Sequence, residues 1–236
     1  HGTDGRSRGL ADRPTRADTS RMRVLVTGGT GFVGGHTVAA FRRAGHEVRV
    51  LARRPEKVRL TLGPLGVSVE DVAAGDVLDE EAVLRALQGM EAVVHAAAVY
   101  TTDPRAHDEV SRTNARATRI VLGQAVRAGM DPVVHVSSVA ALARHGPSGP
   151  ELPLGDMTHP YAKSKLQSEA LARELQDEGH PVVCVYPGAI HGPHDPYLGD
   201  NNERVLAVLR GRFPLWPTGG LHYVDVRDVA DGRVAL

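Results

Sequence analysis

The feature that most constrains this chain is Val24-Leu25-Val26-Thr27-Gly28-Gly29-Thr30-Gly31-Phe32-Val33-Gly34, which sets spaced glycines directly after a β-branched run and directly before a helical pattern. A dinucleotide-binding turn needs that context: Gly28 or Gly29 for the tight exit from a strand, Gly31 for close approach of backbone to a pyrophosphate, and Gly34 for close packing of the helix on the sheet. The amides that open the helix, at Phe32, Val33 and Gly34, would point at the phosphates. The bland alternative is a glycine-rich loop that only turns the chain.

From Met22 onward, strand-like runs are expected at 24–26, 48–51, 67–69, 92–95, 133–136 and 182–186, with helical segments between most of them. Strand alternating with helix implies parallel strands joined by right-handed crossovers. The fold class is therefore α/β, a doubly wound parallel sheet with its ligand crevice at the carboxyl ends of the strands. Gly45 closes the helix that opens at Phe32, Asp79 caps the helix whose first turn holds Glu80 and Glu81, Gly89 ends that helix, and Gly129 before Asp131-Pro132 ends another. Residues 1–21 are almost without apolar side chains and are expected to form a loose tail or a remnant, since the chain opens on His1 rather than Met. Residues 22–190 are assigned to the nucleotide-binding domain, 191–221 to a substrate-side segment, and 222–236 to a return to that domain before the chain stops at Leu236. The loop 146–153, with three prolines and two glycines, is the clearest break.

Lys plus Arg and Asp plus Glu number 28 each, so no global field recruits nucleic acid or an anionic membrane. No apolar run approaches the ~20 residues of a membrane span, and the N-terminus lacks the apolar centre of a secretory signal. The single cysteine, Cys184, cannot form an internal disulfide and reads as inert core, which fits a cytoplasmic location. His191, His194 and Asp195 share a Pro/Gly loop without a second ligand cluster, so no metal site is assigned, although either histidine can touch substrate. Trp216 either walls a substrate pocket or anchors a loop. His36, His46, His95 and His135 read as structural or surface residues.

The end of the second strand bears on which dinucleotide is held. An NAD-selective site places Asp or Glu there to accept from the ribose 2′-hydroxyl. Here Ala52 is followed by Arg53 and Arg54, which suit a 2′-phosphate, so NADP(H) is favoured over NAD(H). Two arginines at a strand end are also an ordinary solvated turn. Asp76, beside Val77, is placed to accept from an adenine amino group, and Ala96, Ala97 and Ala98 after the fourth strand leave room for ribose and nicotinamide.

Tyr161 and Lys165, four apart in a helix that Pro160 opens, share one face. A free tyrosine titrates near 10, and a neighbouring ammonium together with an oxidised nicotinamide would bring it nearer the range of acid/base work. Ser138 follows the fifth strand, where its hydroxyl can hold a substrate oxygen. Taken singly these are weak signals, since Tyr-x-x-x-Lys recurs by chance and serine pairs make turns.

In this order, with Asp76, the alanines at 96–98, Thr113-Asn114-Ala115-Arg116-Ala117-Thr118, Ser137-Ser138 and Tyr186-Pro187-Gly188-Ala189-Ile190-His191-Gly192-Pro193, the chain resembles an extended short-chain dehydrogenase/reductase. The resemblance is to the NAD-dependent epimerase/dehydratase group with its dihydroflavonol-reductase-like enzymes, and runs from Met22 to about Ala230. It implies that Tyr161 is the acid/base, that Lys165 binds the nicotinamide ribose and tunes Tyr161, and that Ser138 orients substrate. It further implies that Asn114 contacts or organises the cofactor site, and that Pro187, Gly188 and Ile190 lie along the nicotinamide. Family habit adds a homodimer.

The expected function is an NAD(P)-dependent interconversion of a small-molecule carbonyl and a secondary alcohol. A nucleotide-sugar epimerase with retained NAD and a non-catalytic dinucleotide sensor are the alternatives. Ala52 speaks against the first and the Tyr161/Lys165 pair against the second. Val139-Ala140 stands where sugar dehydratases carry an acidic pair, which removes the groups elimination would use.

Overall fold

The computed structural model describes residues 21–99, 107–142, 153–155, 160–212 and 222–235. The tail 1–20, most of the 146–153 loop, and Trp216 lie outside the described residues.

Six strands, β1 (Arg23–Thr27), β2 (Glu47–Ala52), β3 (Val72–Ala74), β4 (Ala92–His95), β5 (Val133–Val136) and β6 (Val182–Val185), form one parallel sheet in the order β3-β2-β1-β4-β5-β6. The order reverses between β1 and β4, which opens a crevice beyond their carboxyl ends. Helices α1 (Phe32–Arg43), α2 (Glu56–Leu62), α3 (Glu80–Leu87), α4 (His107–Arg127) and α5 (Pro160–Asp177) make the crossovers. β7 (Ala189–His191) and β8 (Tyr223–Asp225) form a separate parallel pair, with α6 (Asp200–Leu209) between them, and α7 (Val226–Val234) packs against α1.

Alternation along each strand makes two cores. Leu25, Val93 and Val133 face α3, α4 and α5 with Val121, Leu122 and Ala172, while Val24, Val94 and Val134 face the other side with Val38, Val58 and Leu62. Asp79 caps α3 as its sequence implies, accepting from the amides of Glu81 and Ala82. Among the described residues no helix is long and apolar enough to cross a membrane.

The third strand departs from expectation. It lies at Val72–Ala74 and not at 67–69. Val67 and Val69 are apolar enough to pack against the core, but the register on β2 pairs Val50 with Val72, and the Val50 amide reaches Asp71 O at 3.0 Å. An edge strand of three small residues carries too little apolar pattern to announce itself. β7 also crosses the boundary expected at residue 190, since Ile190 pairs with Val224 in the small sheet.

Candidate active site

The turn from β1 to α1 has the geometry of a phosphate cradle. Gly31 N donates to Gly28 O at 2.9 Å, and a Cβ on Gly34 would come within 2.0 Å of that same carbonyl. Gly28, with φ +77°, lies against the Ala96–Ala97 peptide, where a Cβ would stand 2.7 Å from Ala97 N. Only glycine allows both the dihedral and the approach. The N-cap of α1 is Gly31, with no side-chain cap and no acidic residue in the first turn, so the amides of Phe32, Val33 and Gly34 have no built-in anion. This cradle fits a dinucleotide pyrophosphate.

Thr27, one residue earlier, ties the turn to β4. Its Oγ1 accepts from Ala97 N at 3.3 Å and shares a hydrogen bond with His95 Nδ1, 2.8 Å away. His95 Nε2 shares another with Thr118 Oγ1 at 3.4 Å, and Thr118 donates to Ser168 Oγ at 3.1 Å. A chain of hydrogen bonds thus links the glycine turn across β4 and α4 to α5. Ala96, Ala97 and Ala98 leave the β4 end uncrowded, and Ala96 N donates to Thr27 O.

At the end of β2, Arg53 approaches Asp76 at 3.9 Å, both side chains being substantially exposed. Asp76 also accepts from Leu78 N at 3.0 Å, which places Asp76 and Val77 in the tight turn beyond β3. The segment after β7 closes over this side: Pro193 O meets His36 Nε2 at 3.0 Å, and Lys57 of α2 lies 5.5 Å from the centre of the Tyr197 ring. Further along, Leu198, Val205, Leu206 and Leu209 line an open apolar groove.

Ser138, Tyr161 and Lys165 meet between the end of β5 and the first turns of α5. Ser138 Oγ accepts from Ala140 N at 3.2 Å and is hydrogen-bonded to the Tyr161 hydroxyl. Burial pushes the Tyr161 phenol up, and the Ser138 bond pulls it back in part. Lys165 is 7% exposed, and its Nζ donates to Val136 O at 2.9 Å. Burial and the Arg233 guanidinium push the Lys165 ammonium down to about 8, against the pull of Glu169. Asn114 on α4 takes both backbone groups of Val99 and also donates to Ser164 Oγ at 3.3 Å, while Ser164 donates to Tyr161 O at 2.8 Å. Pro187 O accepts from Val139 N, and Gly188 lies where a Cβ would be 2.4 Å from His222 O. Ile190 follows in β7.

Four buried polar groups near this site have no role assigned from the sequence. Glu169 follows Lys165 by four residues, the same spacing that singled out Tyr161, so the signal was present. Thr118 lies in the 113–118 stretch that carries the resemblance but has no spacing signal of its own, and Ser168 has none. Arg233, 1% exposed, bonds Thr37 Oγ1 across the α1–α7 contact, and its other nitrogens lack hydrogen bonds. Cys184 is partly buried against the core, and that burial pushes its thiol up to about 12, in keeping with an unreactive residue.

A model of the NAD dependent epimerase/dehydratase family matches residues 24–236. A Synechocystis protein bearing the name of a dihydroflavonol 4-reductase is 32% identical over 218 residues, covering 89% of this chain and 61% of its own length. A ketoreductase of Stigmatella aurantiaca, named for a farnesylated dihydroquinoline oxide, is 32% identical over 219 residues, covering 89% and 62%. The chain thus spans about three fifths of the length of these relatives. A crystal structure of the dTDP-glucose 4,6-dehydratase DesIV (double mutant) from Streptomyces venezuelae, with NAD bound, is 31% identical, with a TM-score of 0.73 over 91% of this chain and 71% of that one. A family match across nearly all of the sheet and its crossovers, with a solved relative of the same architecture, makes this chain a member of the NAD dependent epimerase/dehydratase family, among the extended short-chain dehydrogenases/reductases.

Proposed function

We propose that this protein is an NADP(H)-preferring oxidoreductase that interconverts a small-molecule carbonyl and a secondary alcohol. The observation that carries the reading is the hydrogen bond between Ser138 and Tyr161, one helical turn from a buried Lys165 that is anchored on Val136 O. A bound nicotinamide supplies the hydride half of the two-electron change. The chain's own residues supply the rest.

With its oxygen already accepting from Ala140 N, Ser138 has one proton to give, and a substrate oxygen arriving beside Tyr161 can take it in place of the phenol. Tyr161 then delivers its proton to that oxygen in reduction and accepts one in oxidation. Because burial alone holds the phenol protonated, the oxidative direction needs a nearby positive charge, which Lys165 is placed to give from one turn away. Asn114 and Ser164 brace Tyr161 through its own carbonyl. The preference for the phosphorylated cofactor is supported by Arg53 and Arg54 following Ala52, where no carboxylate competes for a ribose hydroxyl.

The test is the variant Tyr161→Phe, assayed with NADPH against a panel of ketones and aldehydes that includes dihydroflavonols and cinnamoyl-type carbonyls. Turnover is expected to fall by at least about 100-fold, the scale of a lost acid/base group, with NADPH affinity kept within twofold. Undiminished turnover overturns the assignment. Purification with tightly held NAD and no net cofactor consumption would favour the epimerase alternative.

A further inference from the structure

We propose that Glu169 is the counter-charge that keeps Lys165 in its ammonium form, a positioning residue that acts on the candidate chemistry only through Lys165. This rests on the reading of Lys165 given above. Tyr161, Lys165, Glu169 and Arg173 succeed one another at four-residue intervals along α5 and so form one stripe. Among the described residues the buried charged side chains other than histidines are Lys165, Glu169 and Arg233, two cations and one carboxylate. Glu169 itself is 0% exposed.

Glu169 is ion-paired on one side only, with the quarter-exposed Arg173 guanidinium one turn further along α5. Its Oε1 accepts from Tyr186 Oη at 2.6 Å and from Arg173 Nε at 3.0 Å, while Oε2, equally buried, has no hydrogen-bond partner. A glutamine in the same place would accept both bonds through its amide oxygen. Burying a carboxylate with one oxygen unserved is unfavourable unless the charge itself is used.

Around Glu169, α5 presents Lys165 and Arg173, β6 presents Cys184, and Tyr186 follows just beyond that strand; around Lys165, β5 and β4 present the buried His135 and His95, and α7 places Arg233 close enough to repel it. Both imidazoles are held neutral by burial, and the Lys165 charge adds to that. Removing Glu169 would leave Lys165 facing only neutral or positive neighbours. The ammonium would then lose its proton at lower pH, and with it its pull on the Tyr161 phenol.

The sequence makes this measurable without turnover, because it contains three lysines, Lys57, Lys163 and Lys165. Protein carrying carbon-13-labelled lysine gives three ε-methylene signals, and the Lys165→Arg variant identifies the one of interest. The titration midpoint of that signal is expected to fall by roughly one pH unit in Glu169→Gln. It should stay within a few tenths in Tyr186→Phe, which drops a hydrogen bond and keeps the charge. An unmoved midpoint in Glu169→Gln, or an equal fall in Tyr186→Phe, overturns the proposal. Should Glu169→Gln fail to fold, the neutral Glu169→Met takes its place: a fall of the same size supports the charge role and an unchanged midpoint refutes it. In the turnover arm, the alkaline limb of kcat/KM is expected to move down with the signal, and a limb that stays put while the signal moves refutes the link to chemistry. A wild-type protein that turns over no carbonyl would sink the oxidoreductase reading and leave the charge pairing to stand on the resonance shift.

Discussion

The side-chain amide of Asn114 is matched to both backbone groups of Val99: Val99 N donates to Oδ1 at 2.8 Å and Nδ2 donates to Val99 O at 2.9 Å. The same Nδ2 reaches Ser164, so a buried residue of α4 holds the chain leaving β4 against the turn of α5 that carries Tyr161. Asn114→Ala removes these bonds together. A net loss of about 2 kcal/mol in stability is expected, from two to three hydrogen bonds of about 1 kcal/mol each. It should come with weaker cofactor binding, read by urea unfolding and by fluorescence titration with NADPH. A variant as stable as the wild type and binding as tightly would show that Val99 is positioned by other means.

Arg53 tests the cofactor preference. Its guanidinium is mostly exposed and only loosely held, 3.9 Å from Asp76, so it is free to meet a 2′-phosphate. Arg53→Ala is expected to weaken NADPH about tenfold, the worth of one charge-assisted hydrogen bond, and to leave NADH within twofold. Equal weakening of both cofactors would return the arginine pair to the role of a solvated turn.

Gly34 has no room for a side chain. A Cβ there would overlap the Gly28 carbonyl at 2.0 Å, and Gly28 cannot retreat because it lies against the Ala96–Ala97 peptide. Gly34→Ala is expected to cost about 3 kcal/mol and to abolish dinucleotide binding. Gly232, on α7 with nothing near its missing Cβ, is the control: Gly232→Ala should raise stability by about 0.5–1 kcal/mol. Thermal unfolding of both variants separates a crowded turn from a general intolerance of alanine.

What the sequence made legible follows the strength of local signals. Strands buried on both faces, such as 92–95 and 133–136, carry alanine and valine with one histidine each, and lie where that largely apolar pattern puts them. The edge strand at Val72–Ala74 depends on pairing with β2 for its existence and could not be read locally. Tyr161, Lys165 and Ser138 were legible because their spacing falls on a helix start and a strand end. The polar groups behind them were not. Thr118, Ser168 and His95 are joined by contacts across 23 and 50 residues of sequence, and no periodicity encodes such a meeting.

His95 and His135 stack with ring centres 5.9 Å apart inside the sheet–helix layer, paired in register on β4 and β5. Burial holds His95 down to about 3, and His135 well below its ordinary range. The two differ in partners: His95 is bonded at both nitrogens, whereas both nitrogens of His135 lack a hydrogen bond. Each imidazole is neutral when folded and takes a proton when unfolded below about 6.5, so the unfolded chain binds more protons in that window. Stability is therefore full well above pH 6.5 and declines as pH falls below it, by up to about 1.4 kcal/mol per pH unit for each ring that stays neutral in the folded state. Between pH 6.5 and 5, before most carboxylates titrate, the slope from the pair should rise from about 1.4 to about 2.7 kcal/mol per unit. His135→Phe preserves an aromatic ring against His95, leaves no bonded partner behind, and removes one of the two titrating groups. Its stability at pH 7.5 is expected to stay within about 1 kcal/mol of the wild type, with the acid slope roughly halved. Urea unfolding at half-unit pH steps measures both quantities, and identical slopes in the two proteins would mean that His135 gains its proton in the folded state as readily as in the unfolded one.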